Sequence, residues 1–139
     1  MKIRKATFED KEGVIRLVKV RDYNYSPNYK KYISLWEKMI DSWIKKTFVV
    51  EIDGKIVAYT FYNLRRDSIY LADLYVLPKY REKKIATKLI KKVENLQKKL
   101  GKKYLQTDVN EKNIPAKKLY EKTKFKIIKR SGGDLRLRK

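Results

Sequence analysis

The sequence of 139 residues contains no cysteine and no histidine. Without thiols, disulfides and thiolate nucleophiles are excluded, and without imidazole the chain lacks the usual zinc ligands and the histidine bases of hydrolases. Any proton transfer must therefore use carboxylates, tyrosine, lysine, water or backbone amides. Only five glycines and three prolines are present, and their scatter indicates no flexible linker.

Long hydrophobic runs are also missing. No stretch approaches the roughly 20 apolar residues that cross a bilayer, and the first residues lead into charged positions instead of an apolar signal core. These absences predict a cytoplasmic protein with no membrane partner. A hydrophobic content of 42% is enough for one compact core, so a single domain over residues 1–139 is predicted.

Acidic residues are few beside the basic ones. The chain has 37 Lys and Arg against 16 Asp and Glu, a formal net charge of +21. Such a charge attracts polyanions at long range, whether a charged cofactor, nucleic acid or an acidic protein. A lysine-rich surface is also typical of solubility or of adaptation to heat. Charge alone leaves these interpretations open.

Hydrophobic periodicity predicts four helices. Thr7 is a candidate cap for the first, and a tyrosine-rich loop from Tyr23 to Tyr29 separates it from the second. A third helix ends at Gly101, and a short fourth one covers residues 115–122. The apolar stripes of the first three helices, which we assign to the core, are Val14, Leu17 and Val18; Tyr32, Trp36, Met39, Ile40 and Trp43; and Ile85, Leu89, Val93, Leu96 and Leu100.

Alternating apolar residues predict the strands, with a hairpin turn at Asp53-Gly54. The predicted strands cover residues 3–5, 47–52, 55–64, 68–77, 104–109, 125–129 and 135–138. The order β-α-α-β-β-β-α-β-α-β-β corresponds to an α/β (α+β) fold with a mixed sheet between helices.

A basic turn opens the third helix. Pro78 ends the preceding strand, and the turn that follows reads Arg81-Glu82-Lys83-Lys84-Ile85-Ala86. The first N–H groups of a helix have no helical acceptors and carry partial positive charge, so this turn is suited to bind phosphate. The small side chain of Ala86 would let a pyrophosphate approach the backbone.

This region resembles the acetyl-CoA-binding motif of the GCN5-related N-acetyltransferases (GNAT). That motif is a strand ending in Leu-x-Val-x-Pro-x-Tyr-Arg, here Leu74 to Arg81, followed by the loop Arg/Gln-x-x-Gly-x-Gly/Ala. Lys84 stands at the usual central glycine. It either adopts an ordinary helical conformation and points outward, or the cofactor sits slightly differently.

A second motif lies downstream at the expected spacing. Asn113 to Phe125 resembles the family's Asn-x-x-Ala-x-x-Leu-Tyr-x-x-x-Gly-Phe, with Lys124 in place of the glycine. The resemblance implies a mostly antiparallel central sheet flanked by about four helices. It also implies transfer of an acetyl group from acetyl-CoA to an amine, by direct transfer and without a metal.

The resemblance also implies roles for individual residues. Leu74 and Val76 would bind the pantetheine arm through a splayed strand, the loop would bind the pyrophosphate, and Asn113 would bind the cofactor arm. Tyr120 matches the general acid for the leaving thiolate, although its place on an apolar helix face also fits a packing role. The residues of the predicted cofactor loop are Arg81, Glu82, Lys83, Lys84, Ile85 and Ala86.

The general base and the acceptor are less defined. Asp73 lies where relatives often carry an acid, as a base or as a group that holds water or orients an ammonium. Glu51 and Asp53 are interpreted as exposed hairpin residues. Tyr62 and Tyr70 are candidates to line the acceptor cleft, although tyrosines in strands usually pack.

Several alternatives remain at this stage. The acceptor can be a small-molecule amine or a protein amine, and a homodimer is allowed. Nucleic acid is expected to bind only nonspecifically, because no sequence signature of a nucleic-acid-binding motif is present. A different class of function is a non-catalytic binding module with the same fold, whose basic surface holds nucleic acid or an acidic partner.

Overall fold

The computed structural model describes residues 1–25 and 29–139. The predicted order of helices and strands is confirmed. The helices are α1 (Lys11–Tyr25), α2 (Tyr29–Trp43), α3 (Ile85–Lys99) and α4 (Ile114–Lys122), and the strands are β1 (Lys2–Lys5), β2 (Thr47–Ile52), β3 (Lys55–Leu64), β4 (Ser68–Val76), β5 (Tyr104–Asn110), β6 (Lys126–Ser131) and β7 (Asp134–Arg138).

The loop predicted from Tyr23 to Tyr29 is shorter than expected. Helix α1 continues through Tyr25 and α2 begins at Tyr29. The central part of the predicted loop, residues 26–28, lies outside the described residues. At the other end of α1, Thr7 forms the predicted capping box with Asp10 at a short 3-10 turn before the helix.

The seven strands form one mixed sheet in the order β1-β2-β3-β4-β5-β7-β6. The β4–β5 pair is parallel, and the other neighbouring pairs are antiparallel. A parallel pair needs a crossover, which α3 supplies. This connection places the loop after β4 and the loop after β5 at the same edge of the sheet.

Two hydrophobic clusters hold the helices against the sheet. The larger cluster joins α3 and α4 to the sheet, and the smaller one joins α1 and α2 to strands β2, β3 and β4. Tyr59 is fully buried in the smaller cluster, and the predicted core residues Trp36 and Ile40 pack there too, whereas Met39 is 39% exposed. The two tryptophans of α2, Trp36 and Trp43, therefore contribute mainly to packing.

Strand β4 contains one extra residue. Phe61 pairs with Asp73 and Tyr62 with Leu71, so Ala72 has no partner on β3. This β-bulge changes the alternation of side chains along the strand. The cluster beneath α3 receives Ile69 and Leu71 before the bulge, and Leu74 and Val76 after it. Asp73 and Tyr75 are thereby directed to the opposite face.

Helix α4 ends in a Schellman motif, in which a glycine is the usual residue at the first position beyond the cap. The N–H of Phe125 bonds to the carbonyl of Tyr120 (2.9 Å), and the N–H of Lys124 bonds to that of Glu121 (3.0 Å). The rings of Tyr120 and Phe125 meet at 5.2 Å. Lys124 occupies the left-handed position with φ 75°, where its Cβ is unfavourable.

We therefore expect Lys124→Gly to increase the free energy of unfolding by about 1 kcal/mol, because glycine adopts this conformation without a steric penalty. Chemical denaturation monitored by circular dichroism measures the change. The matched control is Lys118→Gly, at an exposed position inside the same helix, which should destabilise by about 1 kcal/mol. Destabilisation by both substitutions would contradict the strain at Lys124.

Candidate active site

The candidate site is built around a divergence in the sheet. Strands β4 and β5 are paired from Ser68↔Tyr104 to Leu71↔Thr107, and the pairing stops there. Beyond that point β4 stays paired with β3, and β5 stays paired with β7. The two strands therefore separate like the arms of a V, at the bulge of β4. The separation leaves backbone groups of β4 available to a ligand.

The start of α3 lies at the end of the β4 arm. In the described part of the chain, the N–H groups of Lys84, Ile85, Ala86 and Thr87 donate to no carbonyl or side chain, and Lys88 is the first residue bonded within the helix. Four such donors in sequence, with the helix dipole behind them, form an anion-binding concavity. The backbone of the predicted pyrophosphate loop thus has a geometry suited to binding a phosphate group.

Lys84 does not adopt the ordinary helical conformation that was one of the two expectations for it. Its φ and ψ of 61° and 19° place it in the left-handed region, and Glu82 also has a positive φ of 65°. The loop thus keeps the backbone conformation for which glycine is usual, at a steric cost. The side chains of Glu82, Lys83 and Lys84 are exposed.

Two other predicted cofactor residues flank the V. The Nε of Arg81 donates to the carbonyl of Val76 (3.1 Å), and its guanidinium lies over the ring of Tyr75. Asn113 caps α4, and its Oδ1 accepts a hydrogen bond from the N–H of Ala116 (3.2 Å). Arg81 therefore joins the loop to β4, and Asn113 closes the end of the β5 arm.

Tyr120 lies near the point of the V. The hydroxyl of Thr107 donates to the carbonyl of Leu71 (3.0 Å), across the last paired position. Burial raises the pKa of Tyr120, and its hydrogen bond with Thr107 offsets this only in part. The phenol is 8% exposed and therefore stays protonated at neutral pH. A buried neutral phenol can donate a proton or a hydrogen bond to a developing anion.

Asp73 lies on the opposite face of the sheet from Tyr120. Its Oδ2 accepts hydrogen bonds from Arg21 of α1 and from Tyr59 of β3, the latter at 2.7 Å. Arg21 also donates to the hydroxyl of Tyr59 (2.8 Å). The sequence analysis did not single out Arg21 or Tyr59, because nothing in a linear pattern relates residues of α1, β3 and β4. These contacts hold the carboxylate in a fixed orientation.

A second aspartate, Asp108, lies just past the divergence on β5. It accepts hydrogen bonds from the hydroxyl of Tyr70 (3.0 Å) and from Nε of Arg136 (3.0 Å). Burial raises the pKa of Asp108, but these two hydrogen bonds outweigh it and hold the pKa below its usual value. Burial and Asp108 raise the pKa of Tyr70 to about 12. Each arm of the V thus carries an aspartate bonded to a tyrosine and an arginine.

The expectation that Tyr62 lines an acceptor cleft is wrong. Tyr62 is 2% exposed and stacks on Phe48 in the cluster beneath α3. Tyr62 pairs with Leu71, and Tyr70 pairs with Asn63 in the next row, so Tyr70 lies on the other face, where it is partly exposed. The expectation that Glu51 and Asp53 are both exposed is only partly right. Asp53 is exposed, but Glu51 is half-buried and accepts a hydrogen bond from Arg4 (2.9 Å).

Other kinds of site receive no support from the described residues. None of the helices in ranges 1–25 and 29–139 has the length and apolarity to span a membrane. Within the same ranges, no group of three or more aspartates and glutamates is arranged to hold a metal ion.

Comparisons with known proteins identify the family. Residues 14–125 match the sequence profile of the Acetyltransferase (GNAT) family. This range includes both motifs described above. Comparison with curated protein sequences gives no match.

The fold is shared with solved structures. One similar structure is the PaiA N-acetyltransferase from Thermoplasma acidophilum in complex with coenzyme A, with a TM-score of 0.85, 24% identity, and coverage of 99% of this chain and 97% of that one. Another is PH1933 from Pyrococcus horikoshii OT3, with a TM-score of 0.82, 25% identity, and coverage of 99% and 96%. The ribosomal-protein-alanine N-acetyltransferase from Brucella melitensis has a TM-score of 0.77, 18% identity, and coverage of 100% and 99%.

The profile match covers most of the chain. The two motifs within it flank the site at which β4 and β5 separate. The chain belongs to the GNAT acetyltransferase family and is an acetyl-CoA-dependent N-acetyltransferase.

Proposed function

We propose that this protein transfers the acetyl group directly from acetyl-CoA to an amine, with the cofactor bound in the V between β4 and β5. The single observation that carries the proposal is the loss of β4–β5 pairing after Leu71↔Thr107 beside the unbonded N–H groups of Lys84 to Thr87. Bound acetyl-CoA supplies the thioester whose acetyl carbon the amine attacks. The absence of cysteine from the chain favours direct transfer over a thiol-bound intermediate.

The cofactor-binding residues follow from the two arms. Backbone groups of Leu74 and Val76 bind the pantetheine arm as a neighbouring strand would. The loop from Arg81 to Ala86 binds the pyrophosphate, chiefly through N–H groups, and Lys83 and Lys84 add positive charge. Asn113 binds the arm from the β5 side through the part of its amide not used in capping α4.

Tyr120 acts as the proton donor to the departing thiolate. Support comes from its position on the α3 and α4 side of the V and from the burial that keeps its hydroxyl protonated. Thr107 lies beside the phenol at the last paired position of β4 and β5. N–H groups of the β4 arm stabilise the negative charge that develops on the acetyl oxygen.

The acceptor amine enters from the other face, where Asp73 lies. Asp73 is a positioning residue in this proposal, because Oδ2 already accepts from Arg21 and Tyr59 and a carboxylate paired with arginine is a weak base. Asp73 can still accept a hydrogen bond from the acceptor ammonium, which must lose a proton before attack. Water is the simplest proton acceptor for that step.

Calorimetry with acetyl-CoA and a free-thiol assay together test the proposal. We expect micromolar binding, roughly −8 kcal/mol, and about 10-fold weaker binding for Arg81→Ala. Part of that loss would come from the hydrogen bond to Val76 that orders the loop. Folding should be retained, since the side chain is exposed. No binding at millimolar acetyl-CoA would overturn the proposal.

The same assay addresses the alternative of a non-catalytic binding module. An enzyme releases CoA thiol when an amine is added, whereas a non-catalytic binding module does not. Binding of acetyl-CoA without any thiol release, across polyamines, amino acids and peptides, would favour the module.

A further inference from the structure

The face of the sheet that carries Asp73 and Asp108 is strongly basic beside the V. In one register row, Tyr70 of β4 pairs with Gln106 of β5, and Gln106 pairs with Arg138 of β7. Arg136 pairs with Asp108 in the next row. Side chains alternate between the two faces along each strand. On this face, β5, β7 and β6 carry four basic side chains, Arg136, Arg138, Lys126 and Lys129, and two acidic ones, Asp108 and Asp134.

Two arginines on this face lie over tyrosine rings. The guanidinium of Arg65 lies 4.1 Å from the ring centre of Tyr70, and that of Arg138 lies 4.1 Å from the ring centre of Tyr104. Stacking fixes the plane of a guanidinium and leaves the N–H groups at its edge available to an acceptor. We call Arg65, Arg136 and Arg138 the arginine shelf.

Much of the donor capacity of the shelf is unused. Among the described residues, the guanidinium of Arg65 donates to no hydrogen-bond acceptor, and Arg138 makes one long contact of 3.4 Å with Gln106. The Nε of Arg138 is buried and has no partner in the same ranges. Because this Nε is closed to solvent, the donors that a ligand can reach are the terminal N–H groups of Arg138 and the guanidinium of Arg65. Of the three arginines, Arg136 alone forms an ion pair within the described residues, with Asp108.

The aspartates of the V are already neutralised. Asp73 is paired with Arg21 and Asp108 with Arg136, so they leave little net negative charge for a second or third ammonium group. A polyamine would also approach a chain of net charge +21, which repels it. A carboxylate-bearing acceptor meets the opposite conditions, since guanidinium and carboxylate form charge-assisted hydrogen bonds.

From these contacts we infer that the acceptor is an acidic peptide, whose amine enters the V while a nearby carboxylate binds the arginine shelf. The inference rests on the proposed function. Strand β7 lies two strand spacings from β4, about 10 Å. An extended peptide covers that distance in about three residues. The recognised carboxylate therefore belongs to the second to fourth residue from the reacting amine.

A set of matched peptides tests this inference. In the first set, three short peptides have an N-terminal alanine with a free amine, followed by three glutamates, three glutamines or three lysines. In the second set, the N-terminus is blocked and one internal lysine stands beside the same three glutamates, glutamines or lysines. Spermidine represents the polyamines. At 0.15 M salt, we expect kcat/KM for the glutamate peptide of at least one set to exceed that of its glutamine peptide about 10-fold, mainly through KM.

Charge-neutralising variants separate the shelf from the overall charge. Arg65→Gln and Arg138→Gln should each reduce the preference for glutamate over glutamine to about 3-fold or less. The matched control is Arg66→Gln, since Arg66 is the adjacent residue, is also exposed, and makes no hydrogen bond or ion pair through its guanidinium within residues 1–25 and 29–139. It changes the net charge equally and should leave the preference unchanged. Calorimetric affinity for acetyl-CoA should be the same in all three variants.

Several outcomes would overturn the inference. These are equal or faster acetylation of the lysine peptides or spermidine, equal effects of Arg65→Gln and Arg66→Gln, or no transfer to any peptide while acetyl-CoA binds. Inhibition by a short RNA that only the shelf variants lose, without a peptide preference, would assign the shelf to phosphate instead. A protein that binds no acetyl-CoA would contradict the proposed function itself, and the calorimetry identifies that case separately.

Discussion

Replacing Tyr120 with phenylalanine should lower kcat about 100-fold while leaving the affinity for acetyl-CoA nearly unchanged. General acid catalysis typically contributes ~10²–10⁴-fold, and a CoA thiol is already a tolerable leaving group, which places the effect at the lower end. The phenylalanine ring keeps the edge-to-face contact with Phe125. Loss of the hydroxyl removes one hydrogen bond to Thr107, about 1 kcal/mol of stability.

A second buried tyrosine provides the control for this substitution. Tyr62 lies in the same cluster as Tyr120 and is 2% exposed, so Tyr62→Phe matches the chemical change away from the V. It should alter kcat less than 2-fold. Single-turnover measurements with an identified amine acceptor compare both variants. An unchanged kcat in Tyr120→Phe, with chemistry rate-limiting, would assign its hydroxyl to packing and the proton to water.

The pH dependence of the wild-type enzyme bears on the same role. A proton donor is active in its protonated form, and burial raises the pKa of Tyr120 above the ordinary value near 10. The hydroxyl therefore keeps its proton through the neutral and mildly alkaline range. We expect kcat to show no decrease from this group below about pH 10. A decrease that begins near pH 8 and disappears in Tyr120→Phe would contradict the raised pKa.

Charge reversal at the start of α3 should have opposite effects on binding and on stability. The double substitution Lys83→Glu and Lys84→Glu should weaken acetyl-CoA binding about 100-fold, near 2.7 kcal/mol, because two carboxylates would face the pyrophosphate. Unit charges 4 Å apart interact by about 4 kcal/mol at an effective dielectric constant of 20. The melting temperature of the free protein should stay the same or rise slightly, since acidic groups are favourable at a helix N-terminus.

The control reverses the same number of charges elsewhere. Lys92 and Lys103 are exposed and have no recorded ion pair in the described part of the chain. Both double variants change the net charge from +21 by −4, to +17. The variant with glutamate at 92 and 103 should change the affinity less than 3-fold. Similar losses in the two variants would mean that the general positive field attracts the cofactor, and that the loop has no specific role.

The sequence predicted the order of elements because each one has a clear local signal. Helix α3 has an apolar stripe and ends before Gly101, and β2 and β3 flank a two-residue turn at Asp53-Gly54. The predicted cofactor residues lie on β4 and in the segments that follow β4 and β5, which the parallel pairing places at the same edge of the sheet. Both motifs are contiguous in sequence, so their local geometry depends little on distant contacts.

The acceptor side could not be predicted in this way. Arg21, Tyr59 and Asp73 come from three elements, and only the packing of α1 on β3 and β4 brings them into contact. The role of Tyr62 was misjudged because the sequence does not give the pairing register of β3 with β4, which places Tyr62 and Tyr70 on opposite faces of the sheet. The conformation of Lys84 was equally hidden, since a lysine carries no signal for a positive φ.

The bulge at Ala72 decides which face of the sheet each later residue of β4 occupies. At the present chain length, a strand without the bulge would alternate regularly and exchange its two faces beyond Leu71. Asp73 and Tyr75 would then point into the cluster beneath α3, and Leu74 and Val76 would point away from it. Deleting Ala72 itself would remove the extra residue and leave the later side chains on their present faces. The acceptor side of the V and this part of the core therefore depend on the bulge and the chain length of β4 together.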